Sequence, residues 1–391
     1  MRRCMKLLPH QKSGIAYILS HSNAFVCDDI GMGKTRTVIE ALFKRGAFPI
    51  LVLCPTSLKL NWQTEIKKWV GYDTPIDDIN ADVVIMNYER MQKHRYDFPD
   101  RGFKQIVIDE SHNFKNSKSI RTQIAIEIAK NIPYRILISG SPMLNRPAEL
   151  VTQLAILNQL SKFGGEQRFL NTFCGAKQTP WGRSYVGASQ LTMLRNKMRN
   201  IWLRRTKADL KSSLPQKHII KLPITSHKQP SPHSLREVEK YDNAVLNKKI
   251  PLAIDFIGQL LARGEKTVVF VHHKKIVEAI QKKFSTASVV IGGQSVKARQ
   301  KNVDSFQYGD TPLIICSLQA SAVGLTLTAA RCAVFVEYPW SPSLLNQAQD
   351  RIHRLSQTKD CFIYYLYAKN SIDEYRLNTN RYKEIIINHV V

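Results

Sequence analysis

Short unbroken apolar runs, each closed by a polar or Gly/Pro turn, constrain this chain more than any other feature. They form two series. "NAFVCD", "PILVLCP", "DVVIMN", "QIVIDE" and "YRILISG" recur in the N-terminal part, and "KTVVFVH", "SVVIGG", "PLIICS", "CAVFVEYP" and "CFIYYLYA" in the C-terminal part. The runs lack the polar alternation of a one-sided strand, and helix-like segments separate them. That pattern indicates α/β units whose parallel sheets are covered on both faces. A chain of 391 residues is long enough for more than one core. We expect one α/β lobe over 1–150, a mainly helical, basic insertion over 151–224 that closes it, a linker at 225–234 ("TSHKQPSPHS") and a second lobe over 235–391.

The chain carries 57 Lys+Arg against 31 Asp+Glu, a formal charge of +26. Such an excess repels itself unless a polyanion balances it, which points to nucleic acid. Seven cysteines are scattered without a C-x-x-C or a Cys/His cluster, as for free buried thiols in a reducing compartment. "MRRCMKLLPHQ" has no apolar signal core. Residues 311–330 are uncharged, but Gln319, Gly324, two serines and three threonines exclude a membrane span.

Three stretches carry chemistry. In "CDDIGMGKTRTVIEAL" (27–42), Gly33-Lys34-Thr35 ends a phosphate-loop pattern whose first glycine position holds Asp28. Gly31, Met32 and Gly33 would bring backbone N–H groups and a helix N-terminus to an anion. Lys34 would reach the terminal phosphates, and the Thr35 hydroxyl would ligate Mg²⁺. The alternative is a glycine turn that only starts a helix. A carboxylate at Asp28 would repel phosphate, so we expect it to support the loop. In "IVIDESH" (106–112), Asp109 can hold Mg²⁺ and Glu110 can orient an attacking water, although a D-E pair after a strand is often only solvated. In "NQAQDRIHRLSQ" (346–357), a helix starting at Gln347 would place Arg351 and Arg354 on one face to bind phosphate. A solvated basic helix reads the same way.

Together these pieces resemble the superfamily-two helicase-type ATPases, in the SWI/SNF-like branch of DNA translocases. The resemblance runs from "LLPHQKSGIAYI" to "AKNSIDEY". It includes "DDIGMGKT", "LVLCPTSLKLNWQTEIKKW", "DESHNFKN", "ISGSPMLNRPAEL", "LRRTKADLKSSLPQK", "VVFVHHKK", "VGLTLTAA" and "PWSPSLLNQAQDRIHRLSQ", in the family's order. "DESHNFKN", "RPAEL", the "WGRSY" insert and "FVHHK" look most like annealing-helicase, fork-remodelling members. The resemblance implies two tandem RecA-like lobes and an ATP- and Mg²⁺-dependent motor. Gln11 would recognise the adenine edge. Lys34, Thr35, Asp109 and Glu110 would come from lobe 1, and Gln347, Arg351 and Arg354 from lobe 2. Ser139-Gly140-Ser141 would couple hydrolysis to movement. DNA would lie on Pro55, Thr56, Ser57, Asn87 and Tyr88 in lobe 1, and on Gly324, Leu325, Thr326 and Thr328 in lobe 2. Such a motor would act as a monomer on duplex or forked DNA, with protein partners replacing accessory domains, in a bacterial or virus-infected cytoplasm or a nucleus.

Departures are Ser141 for threonine, Ser356 for glycine, and "QASAV" before Gly324 in place of glycines. The first motif's lead-in begins near residue 7, which leaves no length for the N-terminal accessory domain. The resemblance therefore implies the motor and not the annealing activity. Rival readings are a strand-separating DNA or RNA helicase, a nucleotide-switched DNA-binding scaffold, and a motor subunit of a larger assembly.

Smaller features read as follows. His272 and His273 fall on opposite strand faces and do not make a metal site. "WGRSYVG" is an exposed turn or a hairpin bringing Trp181 and Arg183 to DNA. "LRRTKADLK" is a solvated or a backbone-binding helix face. Trp62 and Trp69, seven apart, read as core packing.

Overall fold

The computed structural model describes all residues except 1–5, 181, 208, 210–214, 226–234, 322–324 and 355. Trp181, Gly324 and most of the expected linker thus lie outside the described residues. The chain divides into two compact units, Met1–Ser212 with Ile386–Val391, and Ser213–Ile385.

The first unit is built on β1 (Asn23–Val26), β2 (Ile50–Cys54), β3 (Val83–Asn87), β4 (Gln105–Ile108) and β5 (Tyr134–Ile138). After an exposed hairpin, β6 (Lys177–Thr179) and β7 (Gly182–Ser184), the short β8 (Trp202–Leu203) completes its sheet. The order is β3-β2-β4-β5-β1-β8, and every pair is parallel. Successive residues pack on opposite faces. Ile50, Val52 and Cys54 enter one core with Trp62, whereas Leu51 and Leu53 enter the other with Phe114. Two apolar covers explain why the runs do not alternate.

The segment between β5 and β8 is mainly helical: Leu150–Ile156, Glu166–Phe173 and Leu191–Met198. Phe163, Phe169 and Phe173 form a ring cluster there, with centroids 5.1–6.1 Å apart.

The second unit holds β9 (Lys217–Ile224), β10 (Thr267–Val271), β11 (Ser288–Val290), β12 (Leu313–Ser317), β13 (Cys332–Phe335) and β14 (Cys361–Ala368). Its order is β11-β12-β10-β13-β14-β9, again all parallel. Two boundaries differ from expectation. Residues 217–224 pair with β14 from Cys361↔Lys217 to Ala368↔Ile224 and belong to the second sheet, not to the insertion. As an edge strand with one open face, "KHIIKLPI" alternates and loses the apolar signature of its neighbours. Ile386–Val391 belong to the first unit, where Val390 is fully buried.

The six described cysteines are buried and free. No described helix is long and apolar enough to cross a membrane.

Candidate active site

The phosphate loop follows β1 at the C-terminal edge of the first sheet. Gly31 and Gly33 take φ of +87° and +77°, the left-handed region that glycine enters without penalty. The helix Lys34–Arg45 starts there, with its free N–H groups at the loop. A Cβ at Gly33 would stand 2.5 Å from Gln11 Nε2, so the buried Gln11 lies directly on the loop. Its Oε1 accepts from Leu8 N at 3.0 Å, and His10 Nε2 lies 3.0 Å from the Met32 carbonyl.

Asp28 does not face into the loop. Its carboxylate is 2% exposed and accepts from Arg205 N and Nε, both at 3.0 Å, and from Arg205 Nη2. Asp29 pairs with Arg204 Nη2 at 2.8 Å and accepts from Lys207 N at 2.9 Å. Arg204 and Arg205 of "LRRTKADLK" are therefore not on a helix face. β8 delivers its arginines beside β1, where they clamp the loop's acidic pair. The Lys34 ammonium donates to the carbonyls of that same pair, Asp28 at 2.8 Å and Asp29 at 3.0 Å. Burial pulls the Lys34 pKa down, and Glu110, Asp28 and Asp109 oppose that shift. A Cβ at Gly140 would lie 3.3 Å from Lys34 Nζ, so the S-G-S turn reaches the lysine as well.

Asp109 is buried after β4. Its Oδ2 accepts from Trp62 Nε1 at 2.9 Å and its Oδ1 from Glu110 N at 2.9 Å. Burial first, and Glu110 second, push its carboxyl up to about 7. Positive charge beside it therefore favours the anion. Its oxygens and the Thr35 hydroxyl are the hard donors that Mg²⁺ takes, so the donor set fits that ion. Trp62 is both core and donor, a role that heptad-like spacing cannot reveal. Trp69 is only half-buried, under the Arg36 guanidinium 3.7 Å from its ring centroid.

Glu110 sits at φ 49°, ψ 50°, a left-handed conformation costing on the order of 1–3 kcal/mol for a non-glycine residue. Its Oε2 is 3.4 Å from His112 Nδ1, which lies 3.1 Å from Ser139 Oγ. Ser139 Oγ in turn accepts from Ser141 N at 3.1 Å. Burial, with help from Lys115, pulls His112 down to about 4, so the ring is neutral near pH 7. Glu149 of "RPAEL" accepts from Leu144 N and Asn145 N at 2.6 and 3.0 Å and fixes the next turn.

Of the expected DNA track in this unit, Thr56 is exposed, and Pro55, Ser57 and Asn87 are half-buried. Asn87 Nδ2 donates to Thr56 Oγ1 at 2.8 Å, joining the ends of β2 and β3. Tyr88 is a correction. It is 4% exposed, its ring packs edge-on against Phe114 at 4.8 Å, and its hydroxyl donates to the Asp109 carbonyl. It steadies the D-E turn, and its side chain is not at the surface.

In the second unit, the helix Pro342–Gln349 ends before both arginines. The expected common helical face for Gln347, Arg351 and Arg354 is therefore absent. Gln347 is buried within the helix, and the arginines occupy the turn after it. Arg351 Nη1 donates to the Leu325 carbonyl at 3.4 Å, and Arg354 Nη1 to Thr326 Oγ1 at 3.0 Å. Burial lowers the Arg354 pKa, opposed by Asp350. Leu325 is 8% exposed and packs in the core, so its side chain is not at the surface; Thr326 is exposed and Thr328 half-buried. The Thr328 hydroxyl meets Gln307 Nε2 and Ser356 Oγ, each at 3.3 Å. His273 bonds Glu337 through Nδ1 at 2.5 Å, which raises its pKa. No group of three potential metal ligands occurs among the described residues.

Comparison with known proteins follows these elements. Residues 10–251 match the SNF2-related domain and residues 248–356 the helicase conserved C-terminal domain. The chain is 32% identical over 407 residues to the SWI/SNF-related matrix-associated actin-dependent regulator of chromatin subfamily A-like protein 1 of Bos taurus, covering 94% of this chain and 43% of that protein. It is 30% identical over 420 residues to the DNA annealing helicase and endonuclease ZRANB3 of Bos taurus, covering 94% and 39%. The Sulfolobus solfataricus SWI2/SNF2 ATPase core in complex with dsDNA aligns with 98% of this chain and 93% of its own, at 21% identity and a TM-score of 0.48. The chain spans less than half the length of the two bovine relatives.

Proposed function

The chain belongs to the SNF2-related family, and on that premise we propose that it is an ATP- and Mg²⁺-dependent motor that hydrolyses ATP to move along duplex DNA. One observation carries the reading: Lys34 and Glu110 both reach the Ser139–Ser141 turn, Lys34 beside Gly140 and Glu110 through His112. A solvated D-E pair would need no such network. Lys34 rests on two carbonyls and can transfer its ammonium to phosphate oxygens without losing compensation. Gln11 would read the base, and Glu110 would orient and deprotonate water. His112 passes any shift of Glu110 to Ser139, and so to the turn that is the candidate coupling element. Mg²⁺, held by Thr35 and Asp109, would neutralise developing phosphate charge. The proposed role of Arg351 and Arg354 is to take up phosphate charge, and Thr56, Asn87, Thr326 and Thr328 are the proposed backbone contacts. Phosphate contacts of that kind bind without reading sequence.

The test is ATPase rate with single-stranded, duplex and forked DNA and with RNA. Duplex DNA should stimulate turnover; equal rates with and without it would sink the translocase reading. Lys34→Ala and Glu110→Gln should each abolish turnover while the thermal midpoint holds. Full kcat in Arg351→Ala would remove that residue's assignment.

A further inference from the structure

Between Gln167 and Lys207 the sequence contains no Asp or Glu. Arg168, Lys177, Arg183, Arg195, Lys197 and Arg199 all fall in that stretch and all are exposed. None of the six makes an ion pair among the described residues. Other cations of the same unit are matched: Lys59 with Asp77 and, at the end of this stretch, Arg204 with Asp29 and Arg205 with Asp28. A solvated basic face of ordinary composition would carry interspersed carboxylates. Here like charges stand together, which costs stability unless a polyanion neutralises them.

The β6–β7 hairpin gives this surface a fixed element. Register places Gln178 opposite Arg183. Arg183 Nη1 donates to Asn171 Oδ1 at 3.2 Å, which also accepts from the Tyr185 hydroxyl at 3.1 Å. Gln167 Nε2 holds that hydroxyl at 2.5 Å. The guanidinium is thus oriented by a neutral amide. It keeps its whole charge, and most of its five N–H donors remain for another acceptor. Beside it lies a cavity of about 430 Å³ lined by Asn171, Ala176, Lys177, Gln178 and Arg183, with no carboxylate.

The Thr56–Asn87 track joins the ends of β2 and β3, on the opposite side of the sheet from β8. The insertion joins β5 to β8, and β8 is four strands from β2. At about 4.8 Å per strand that is roughly 19 Å across the sheet.

We propose that the hairpin and its flanking helices form a second phosphodiester-binding surface, holding a segment of duplex other than the one on the track. The inference rests on the motor reading for the identity of the polyanion. Contacts there go to backbone phosphates and impose no sequence preference.

The experiment uses the full chain and the triple variant Arg168→Gln, Lys177→Gln, Arg183→Gln, all exposed positions. Binding to a forked duplex and to a short blunt duplex is measured by anisotropy across a salt series. ATPase is measured with the short duplex. Loss of three phosphate contacts should flatten the slope of log K against log salt by about 2.7 for the fork, with affinity down about tenfold or more. Binding and ATPase stimulation by the short duplex should persist. An unchanged slope overturns the proposal. So does equal loss on both DNAs with lost stimulation, which would make the patch part of the track. A variant that loses only binding to vesicles rich in anionic lipid also overturns it. Failure of the motor reading would show separately, as a wild-type ATPase that no DNA stimulates, while anisotropy still reports on the patch.

Discussion

Arg205→Ala tests the clamp that replaces the missing phosphate-loop glycine. Arg205 gives the buried Asp28 three hydrogen bonds and also holds the His10 carbonyl and Ser13 Oγ, the latter at 2.8 Å. Removing the guanidinium leaves a carboxylate that is 2% exposed without its counter-charge. Breaking a buried pair in this way costs about 3–5 kcal/mol, against at most about 1 kcal/mol for a solvated pair. For a unit of this size 1 kcal/mol moves the midpoint by about 2–4 °C, so the variant should melt roughly 6–20 °C lower. Scanning calorimetry of the full chain measures this. ATP affinity should fall as well, because Lys34 rests on the Asp28 carbonyl. Asp28→Asn combined with Arg205→Ala removes both charges and should recover part of the loss. A drop below about 3 °C in the single variant would mean that the pair is effectively solvated. If Asp28→Gly raised ATP affinity with full DNA-stimulated turnover, the supporting role of Asp28 would be refuted.

Two further outcomes are expected. Trp62→Phe keeps an aromatic ring but removes the donor 2.9 Å from Asp109 Oδ2. A hydrogen bond to a charged group contributes about 1.5–3 kcal/mol, so the Mg²⁺ needed for half-maximal ATPase should rise about tenfold or more; an unchanged requirement refutes the assignment. In metal-free buffer, His112 and Asp109 give opposed pH dependences. The His112 pKa falls from 6.5 to about 4 on folding, so its contribution is full above 6.5 and is lost as pH falls towards 4. Asp109 rises from 3.8 to about 7, so its contribution is lost as pH climbs through that window. Urea titrations should therefore show His112→Gln losing stability, relative to wild type, more steeply with rising pH, and Asp109→Asn the reverse. Parallel curves for all three proteins would contradict both shifts.

The amino-acid sequence alone determined the two covered parallel sheets, because a strand buried on both faces must be apolar at every position. It also determined the phosphate loop and the D-E turn, since glycine conformation and helix start are local properties. Only the tertiary structure decided what each polar residue does. Asp28 and Arg205 are 177 positions apart and meet because β8 pairs with β1. Tyr88 and Leu325 sit in motif stretches expected on DNA, yet both side chains turn inward, Tyr88 to support the Asp109 turn. The helix before Arg351 stops at Gln349, where the Leu327 N–H takes the Arg351 carbonyl at 2.9 Å and fixes the turn. β9 left its sheet assignment illegible because one of its two faces is open to solvent and its residues alternate. Periodicity records which faces a residue's own element covers; the partner that satisfies a buried charge comes from another part of the chain, and its position is set by packing.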